Sequence, residues 1–365
     1  MHITLIAGAR PNFMKISPII NAIKLACEGG ASIDFQLVHT GHHFDEKMSA
    51  TFIRELTIPE PNVNLECGGG TQAEQTAAIM VAFEKYMTGK KTDLVLVVGD
   101  VTSTMACTIV AKKLHIRTAH VEAGIRSGDM TMPEEINRIV TDSICDYYFT
   151  TTEQARTNLL KCGVPDSAIY FVGNTMIDTL LTQMPRFRMP EVMHSHALKP
   201  NSYYVLTLHR PSNVDSPDTL NDLLTTLHEN SLGLPIVFPV HPRTAAVFNP
   251  YRTHYPRIIT CDPLGYLEFN YLVKHAKGVI TDSGGITEET TVMGIPCITL
   301  RNSTERPETC TIGTNELVGN DKHKLIEALN KLAGNRWKEG RIPEKWDGKA
   351  ATRIVNHLLD IAKGG

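Results

Sequence analysis

Apolar runs of strand length recur along this chain, with stretches of helical periodicity between them. Several runs, such as Leu94–Val98 and Pro235–Phe238, contain no alternating polar positions. Continuous apolar strands are typical of parallel sheets that helices cover on both faces. The pattern predicts an α/β protein with two doubly wound, Rossmann-like domains that face each other across a cleft.

The pattern predicts about six strands in each half of the chain. Those of the first half lie near His2–Ala9, Ile33–Thr40, Asp93–Gly99, Arg117–Glu122, Tyr147–Thr151 and Ile169–Val172. Those of the second half lie near Tyr203–Leu208, Pro235–Val240, Arg257–Cys261, Gly278–Thr281, Pro296–Leu300 and Asn315–Val318.

The domain boundary is predicted in Gln183–Ser202, a proline-containing stretch with few strand-like runs. This gives an N-terminal domain of residues 1–184 and a C-terminal domain of residues 185–349. A last helix within residues 350–365 has one apolar face, so we expect it to pack back on the N-terminal domain. Ligands of open α/β sheets bind at the carboxyl ends of the strands, where we place the site.

Composition narrows the function classes. The chain has 365 residues, enough for two cores, and its net charge of −3 gives no sign of a nucleic-acid partner. No apolar run approaches the roughly 20 residues that cross a bilayer, and the N-terminus reads as a strand, without a signal peptide. Eight scattered cysteines with no C-x-x-C pair suit a reducing compartment. We therefore expect a cytoplasmic protein that binds neither membrane nor metal.

The stretch Thr281–Gly294 predicts a phosphate-binding turn. Gly284 and Gly285 follow an apolar strand, and the helix after them would direct unpaired N–H groups at a ligand. In the first turns of that helix, Glu288 and Glu289 could accept hydrogen bonds from sugar hydroxyls. Taken alone, the stretch fits an ordinary strand-to-helix turn equally well.

The first half offers charged residues where its strands end. Arg10 and Lys15 follow the first strand and suit an anionic ligand. Asp100 and Glu122 follow later strands, although Asp100 would also suit a helix N-cap. Glu134 begins a helix whose Ile136, Ile139, Val140 and Ile144 form one apolar face. Three carboxylates at one edge would repel each other, so we expect at least one to hold its proton near neutral pH.

Two basic turns follow strands of the second half. His209-Arg210 ends the first of these strands, and His241-Pro242-Arg243 ends the second. A lone histidine is more often structural than catalytic. Two such turns at matching strand ends favour anion or proton chemistry.

Seven motifs occur in an order that resembles the non-hydrolysing UDP-N-acetylglucosamine 2-epimerases. They are Ala9-Arg10-Pro11 with Lys15, Val98-Gly99-Asp100, His120-Val121-Glu122-Ala123-Gly124, Pro133-Glu134-Glu135 with Asn137-Arg138, His209-Arg210, Thr281-Asp282-Ser283-Gly284-Gly285 with Glu288-Glu289, and Thr304-Glu305-Arg306-Pro307-Glu308. The resemblance implies a glycosyltransferase-B type fold, a homodimer and a UDP-sugar as the ligand. It implies no metal and no nicotinamide cofactor.

The resemblance also implies an activity and its residues. The activity is reversible inversion at C2 of UDP-N-acetylglucosamine, by elimination of UDP to a 2-acetamidoglucal and its re-addition. The implied catalytic residues are Asp100, Glu122, Glu134 and His209. The implied UDP-binding residues are Arg10, Lys15, Arg210, His241, Ser283, Gly284, Gly285 and Glu289.

Three departures from the family pattern leave related functions open. Gly41–Lys47 lacks the run typical of members activated by UDP-N-acetylglucosamine, Asp129–Pro133 is shorter than usual, and Pro211-Ser212 replaces an acidic position. A UDP-2,3-diacetamido uronate is therefore an alternative substrate. Hydrolysis to free N-acetylmannosamine, glycosyl transfer and nucleotide-sugar binding without catalysis are also compatible with the motifs.

Overall fold

The structure is a computed structural model that describes residues 1–41, 55–240, 244–245, 248 and 254–363, apart from the side chains of Arg10, Pro211 and Ser212. The chain divides into two compact units. Unit 1 comprises Met1–Thr182 and Glu344–Gly365, and unit 2 comprises Gln183–Pro343. In the described part of the chain, no helix is both long and apolar enough to cross a membrane.

Unit 1 is built on a parallel sheet, to which the described residues contribute seven strands. These are β1 (His2–Ala7), β2 (Asp34–His39), β3 (Val63–Asn64), β4 (Leu94–Val98), β5 (Arg117–Val121), β6 (Tyr147–Thr150) and β7 (Ile169–Phe171). Their order across the sheet is β3-β2-β1-β4-β5-β6-β7. The order reverses between β1 and β4, which is where doubly wound sheets bind their ligands.

Helices connect the strands of unit 1. They are α1 (Arg10–Glu28), α2 (Gln72–Met87), α3 (Thr102–Lys113), α4 (Pro133–Ile144), α5 (Glu153–Lys161) and α6 (Thr175–Gln183). The interior strand β4 is fully buried, and its apolar side chains pack against α2 and α3. This burial on both sheet faces explains why β4 shows no alternation in sequence.

Unit 2 is also built on a parallel sheet, to which its described residues contribute six strands. They are β8 (Tyr204–Thr207), β9 (Ile236–Pro239), β10 (Ile258–Cys261), β11 (Gly278–Thr281), β12 (Cys297–Thr299) and β13 (Asn315–Leu317), in the order β10-β9-β8-β11-β12-β13. The helices whose bounds lie within the described residues of unit 2 are α7 (Glu191–Ser195), α8 (Pro211–Val214), α9 (Pro217–Asn230), α10 (Tyr266–Lys274), α11 (Gly284–Met293), α12 (Pro307–Thr311) and α13 (Lys322–Ala333).

The predicted α/β class and all twelve predicted strands are confirmed, each within about two residues. The two-residue strand β3 was not predicted, because Val63–Asn64 is too short to form an apolar run. Gln183–Ser202 is not a bare connection: Val192 and Met193 of α7 are buried against Tyr203 in the core of unit 2.

The chain returns to unit 1 from Glu344 onward. Trp346 is 1% exposed, and its indole N–H donates to the carbonyl oxygen of Thr151 at 3.2 Å. The last helix, α14 (Ala350–Lys363), packs against α1. The carboxylate of Asp178 accepts the N–H groups of Ala350 and Ala351 at 3.1 and 2.7 Å, so it caps the start of α14.

The tight contact between Gly173 and the returning segment generates a prediction about stability. Gly173 has φ +95, and a Cβ there would lie 2.0 Å from the carbonyl oxygen of Lys345. We expect Gly173→Ala to lower the free energy of unfolding by on the order of 2–4 kcal/mol, measured by thermal or urea unfolding followed by circular dichroism.

Gly163→Ala is the matched control. Gly163 has φ +85 but no atom within 4 Å of the added Cβ, so only the left-handed backbone penalty of about 1 kcal/mol applies. Equal losses in the two variants would contradict a tight contact at Lys345.

Candidate functional site

Two acidic residues follow adjacent strands at the carboxyl end of the unit 1 sheet. Asp100 lies two residues after β4, and Glu122 lies one residue after β5, its hydrogen-bonded neighbour. Glu122 has φ +71, which is uncommon for a residue with a side chain. A strained backbone conformation persists only where the surrounding residues hold it in place. Such conformations are concentrated at functional sites.

Lys15 of α1 pairs with Glu122. Its Nζ lies 2.7 Å from Oε2 of Glu122, and both side chains are at least nine-tenths buried. Asn12, one turn earlier on α1, accepts from the N–H groups of Gly8 and Ala9 and donates to the Val98 carbonyl oxygen at 3.1 Å. Asn12 therefore fixes the start of α1 against β4 and sets the position from which Lys15 reaches Glu122.

Arg138 of α4 holds Asp100. Its Nη2 and Nε lie 2.5 and 3.1 Å from Oδ2 of Asp100, while its Nη1 lies 2.7 Å from Oε2 of Glu135. Glu135 also accepts the N–H groups of Ser127 and Gly128. Burial opposes ionisation of Glu135, but these hydrogen bonds outweigh it and lower its pKa.

Helix α4 turns its polar face toward the unit 1 interior. Glu135, Asn137, Arg138, Thr141 and Asp142 are buried, whereas the apolar face predicted from sequence is partly exposed, with Ile136 at 45%. Glu134 is partly exposed and makes no hydrogen bond or ion pair with another residue that the structure describes.

Two of the three carboxylates that were expected to repel each other have a neighbouring cation. Asp100 pairs with Arg138, and Glu122 pairs with Lys15. The expectation that one of the three holds its proton near neutral pH stays a prediction. No local pattern hinted at these pairs, because 38 and 107 residues separate their members.

His209 forms a dyad with Asp282 in unit 2. Its Nδ1 lies 2.5 Å from Oδ1 of Asp282, and its side chain is 59% exposed whereas Asp282 is fully buried. Asp282 also accepts the N–H groups of His209 and Arg210 and the amide of Asn213. Burial raises the pKa of Asp282, but these donors outweigh it, and the pKa is lowered.

Sequence reasoning assigned no role to Asp282, although the residue lies within one of the seven motifs. The available signal was its position directly after the buried strand β11, the same placement that drew attention to Glu122. In the structure, Asp282 joins the turn after β11 to the turn after β8, so it sets where His209 stands.

Helix α11 begins at Gly284, directly after Ser283, and no side chain caps its N-terminus. Its first N–H groups therefore have no intrahelical partner. A Cβ at Gly284 would lie 2.6 Å from Oε1 of Glu305, whose carboxylate pairs with Arg301. The carboxylate of Glu305 thus lies close to Gly284, a contact the sequence did not suggest.

The two glutamates of α11 have different surroundings. Glu288 pairs with Arg306: Oε1 of Glu288 lies 2.5 Å from Nε of Arg306, so the guanidinium compensates the charge of the carboxylate. Glu289 is 4% exposed and accepts the Tyr266 hydroxyl at 2.9 Å. Burial, with a contribution from the charge of Glu288, raises the pKa of Glu289 to about 7.

Three further predicted positions are less well defined. Arg10 is the first residue of α1, but its side chain lies outside the described part of the structure, as does the whole of His241. Gly41–Lys47, which lacks the run typical of members activated by UDP-N-acetylglucosamine, is described only at Gly41. No group of three or more His, Cys, Asp or Glu among the described residues is arranged to hold a metal ion.

Comparison with known proteins identifies the relatives of this chain. The family model for UDP-N-acetylglucosamine 2-epimerase matches residues 25–359. A UDP-N-acetylglucosamine 2-epimerase of Methanocaldococcus jannaschii is 39% identical, over 98% of this chain and 99% of the relative. A UDP-2,3-diacetamido-2,3-dideoxy-D-glucuronate 2-epimerase of Pseudomonas aeruginosa is 37% identical, over 99% of this chain and 100% of the relative.

Solved structures of UDP-GlcNAc 2-epimerases match the fold of this chain. The M. jannaschii UDP-GlcNAc 2-epimerase in complex with UDP-GlcNAc and UDP matches with a TM-score of 0.87 at 39% identity, over 99% of this chain and 100% of that one. The Neisseria meningitidis UDP-GlcNAc 2-epimerase bound to UDP-GlcNAc matches with a TM-score of 0.89 at 26% identity, over the same shares. The chain belongs to the UDP-N-acetylglucosamine 2-epimerase family.

Proposed function

We propose that this protein reversibly inverts C2 of UDP-N-acetylglucosamine, giving UDP-N-acetylmannosamine. A base removes the C2 proton as the C1–O bond to UDP breaks, and a C1=C2 double bond forms in 2-acetamidoglucal. An acid then protonates C2 from the other face while a UDP oxygen bonds to C1 again. No net oxidation occurs, so the chain's own acids and bases suffice.

The observation that carries the proposal is the pair of acidic side chains after β4 and β5, each held by its own cation. Glu122 is fixed by Lys15, and Asp100 by Arg138. Proton transfer at two faces of one carbon requires two positioned groups. The family of this chain, and the UDP-GlcNAc complexes of its relatives, supply the substrate class.

We assign Asp100, Glu122 and Glu134 to proton transfer, with His209 as a further catalytic group next to the leaving diphosphate. Nucleotide binding falls to the turn that begins α11, formed by Ser283, Gly284 and Gly285, whose N–H groups suit phosphate oxygens. The other proposed nucleotide ligands are Arg10, Lys15, Arg210, His241 and Glu289.

A second substrate is supported by a specific relative. The diacetamido-glucuronate 2-epimerase of P. aeruginosa is nearly as similar to this chain as the M. jannaschii enzyme, at 37% against 39% identity. The same two-step chemistry applies to that sugar, since it too carries an acetamido group at C2. Proton NMR of reactions with each UDP-sugar alone distinguishes the two substrates.

We also propose a cytoplasmic homodimer. Support for a second copy comes from α4, whose apolar face of Ile136, Ile139, Val140 and Ile144 is left partly exposed on unit 1. Exposed apolar faces of this kind are covered by association in many oligomers.

Deuterium uptake tests the reaction. In D₂O with UDP-N-acetylglucosamine alone, we expect product with deuterium at C2, because the acid that reprotonates the glucal exchanges with solvent. Mass spectrometry and proton NMR measure the label. Product without deuterium at C2 would rule out this mechanism. Free UDP accumulating in step with turnover would instead identify the hydrolysing reaction.

Removing the charge of Glu122 tests its role. We expect Glu122→Gln to keep UDP affinity by calorimetry but to lower kcat by at least about a hundredfold, the usual scale for a proton-transfer group. The control is Glu153→Gln, an exposed glutamate of α5, which should leave kcat unchanged. Unchanged turnover in Glu122→Gln would remove Glu122 from the mechanism.

The His209–Asp282 dyad generates a second substitution. Asparagine at 282 can keep an acceptor oxygen for Arg210 and Asn213, but it then presents an N–H donor to Nδ1 of His209, so the ring loses the carboxylate acceptor that orients it. We expect Asp282→Asn to lower kcat by at least about tenfold. Asp218→Asn, in the exposed first turn of α9, is the control. A kcat equal to that of the control would show that the dyad is not needed.

A further inference from the structure

His120 is fully buried in β5, and both of its ring nitrogens contact oxygen atoms. Nε2 lies 2.8 Å from the carbonyl oxygen of Gly99, and Nδ1 lies 2.7 Å from Oδ1 of Asp142. The other carboxylate oxygen of Asp142 accepts the Gly124 N–H at 3.0 Å and Nη1 of Arg126 at 2.6 Å.

These contacts determine how many protons the ring carries. A backbone carbonyl oxygen can only accept, so Nε2 must carry a hydrogen. A proton must also lie between Nδ1 and Asp142, since two bare acceptors at 2.7 Å would repel. Asp142 already accepts from a backbone N–H and a guanidinium, which stabilise its ionised form. The second proton therefore belongs to His120, which is an imidazolium.

The His120–Asp142 pair joins the three segments that carry the acidic residues. Gly99, which accepts from Nε2, directly precedes Asp100. Gly124, which donates to Asp142, follows Glu122 by two residues. Asp142 itself is part of α4, the helix that begins with Pro133 and Glu134. A neutral side chain at 120 would loosen all three connections at once.

We propose that His120, ion-paired with Asp142, is together with that residue a positioning residue for Asp100, Glu122 and Glu134. It touches no substrate and transfers no proton in the cycle. Its role is to keep the turns after β4 and β5 in register with α4, so that the acidic groups meet the C2 proton at the required distance. The catalytic consequence of this role rests on the proposed function.

Imidazole NMR tests the charge. In the full-length protein labelled with ¹⁵N-histidine, we expect both His120 nitrogens to resonate as protonated at pH 7, because each contacts an oxygen acceptor. His120→Gln assigns the signals by their loss. A single protonated nitrogen at this pH would overturn the proposal. The measurement is independent of which reaction the protein catalyses.

Steady-state kinetics test the positioning role. We expect His120→Gln to lower kcat about a hundredfold, the effect of displacing reacting groups by about 1 Å, with KM and UDP affinity within about threefold of wild type. His115→Gln, an exposed histidine of unit 1, is the matched control and should match wild type. A folded His120→Gln variant with unchanged kcat would overturn the positioning role.

A second pair of variants keeps the test informative if His120→Gln folds poorly. In His120→Gln with Asp142→Asn, two neutral amides can hydrogen-bond to each other, so we expect kcat per folded molecule above that of Asp142→Asn alone. If the double variant recovers the midpoint of thermal unfolding but not kcat, the His120–Asp142 pair has only a structural role. A wild-type protein that incorporates no deuterium would refute the proposed function and leave the imidazolium result standing.

Discussion

Pairing of buried charges governs the carboxyl end of the unit 1 sheet. Ionised groups are costly to bury unless partners of opposite charge compensate them. Here Lys15 faces Glu122, Arg138 bridges Asp100 and Glu135, and Asp142 lies between His120 and Arg126. Removing one member leaves its partner uncompensated, so these pairs hold the turns in a single arrangement. The strained backbone of Glu122 is kept in place by that arrangement.

In unit 2, hydrogen bonds to one carboxylate fix the turn after β8. Asp282 collects two backbone N–H groups, an asparagine amide and the ring of His209. The N-terminus of α11 begins two residues later, with its N–H groups directed away from the helix. Backbone donors suit an anion because they require no counter-charge and no side-chain ordering. Unit 2 thus offers fixed dipoles where unit 1 offers titratable groups.

The sequence alone determined most of the fold and the location of the acidic groups. Strands such as β4 are long apolar runs, and Asp100 and Glu122 stand out because a charge directly after such a run is unusual. The partners could not be predicted. Arg138 is distant in sequence from Asp100 and reads as an ordinary surface residue of a helix. The sequence showed that α4 has an apolar face, but it gave no sign that the polar face is the buried one.

Glu289 is a second residue whose surroundings could not be predicted from the sequence. Its place in the motif gave no sign that the residue would be buried beside Tyr266, or that its pKa would be raised to about 7. Tyr266 lies 23 residues earlier, in α10. Only the packing of α10 on α11 brings the two together, and no local pattern encodes that packing.

The return of the chain to unit 1 at Glu344 means that unit 2 is an insertion within unit 1. Unit 2 is continuous and leaves the ribosome whole, while the first 182 residues of unit 1 still lack Trp346 and α14. During synthesis, therefore, the later half can finish folding before the earlier one. The surface of α1 that α14 covers stays exposed until α14 has been synthesised, so the N-terminal part of unit 1 completes its packing only after unit 2 has been made.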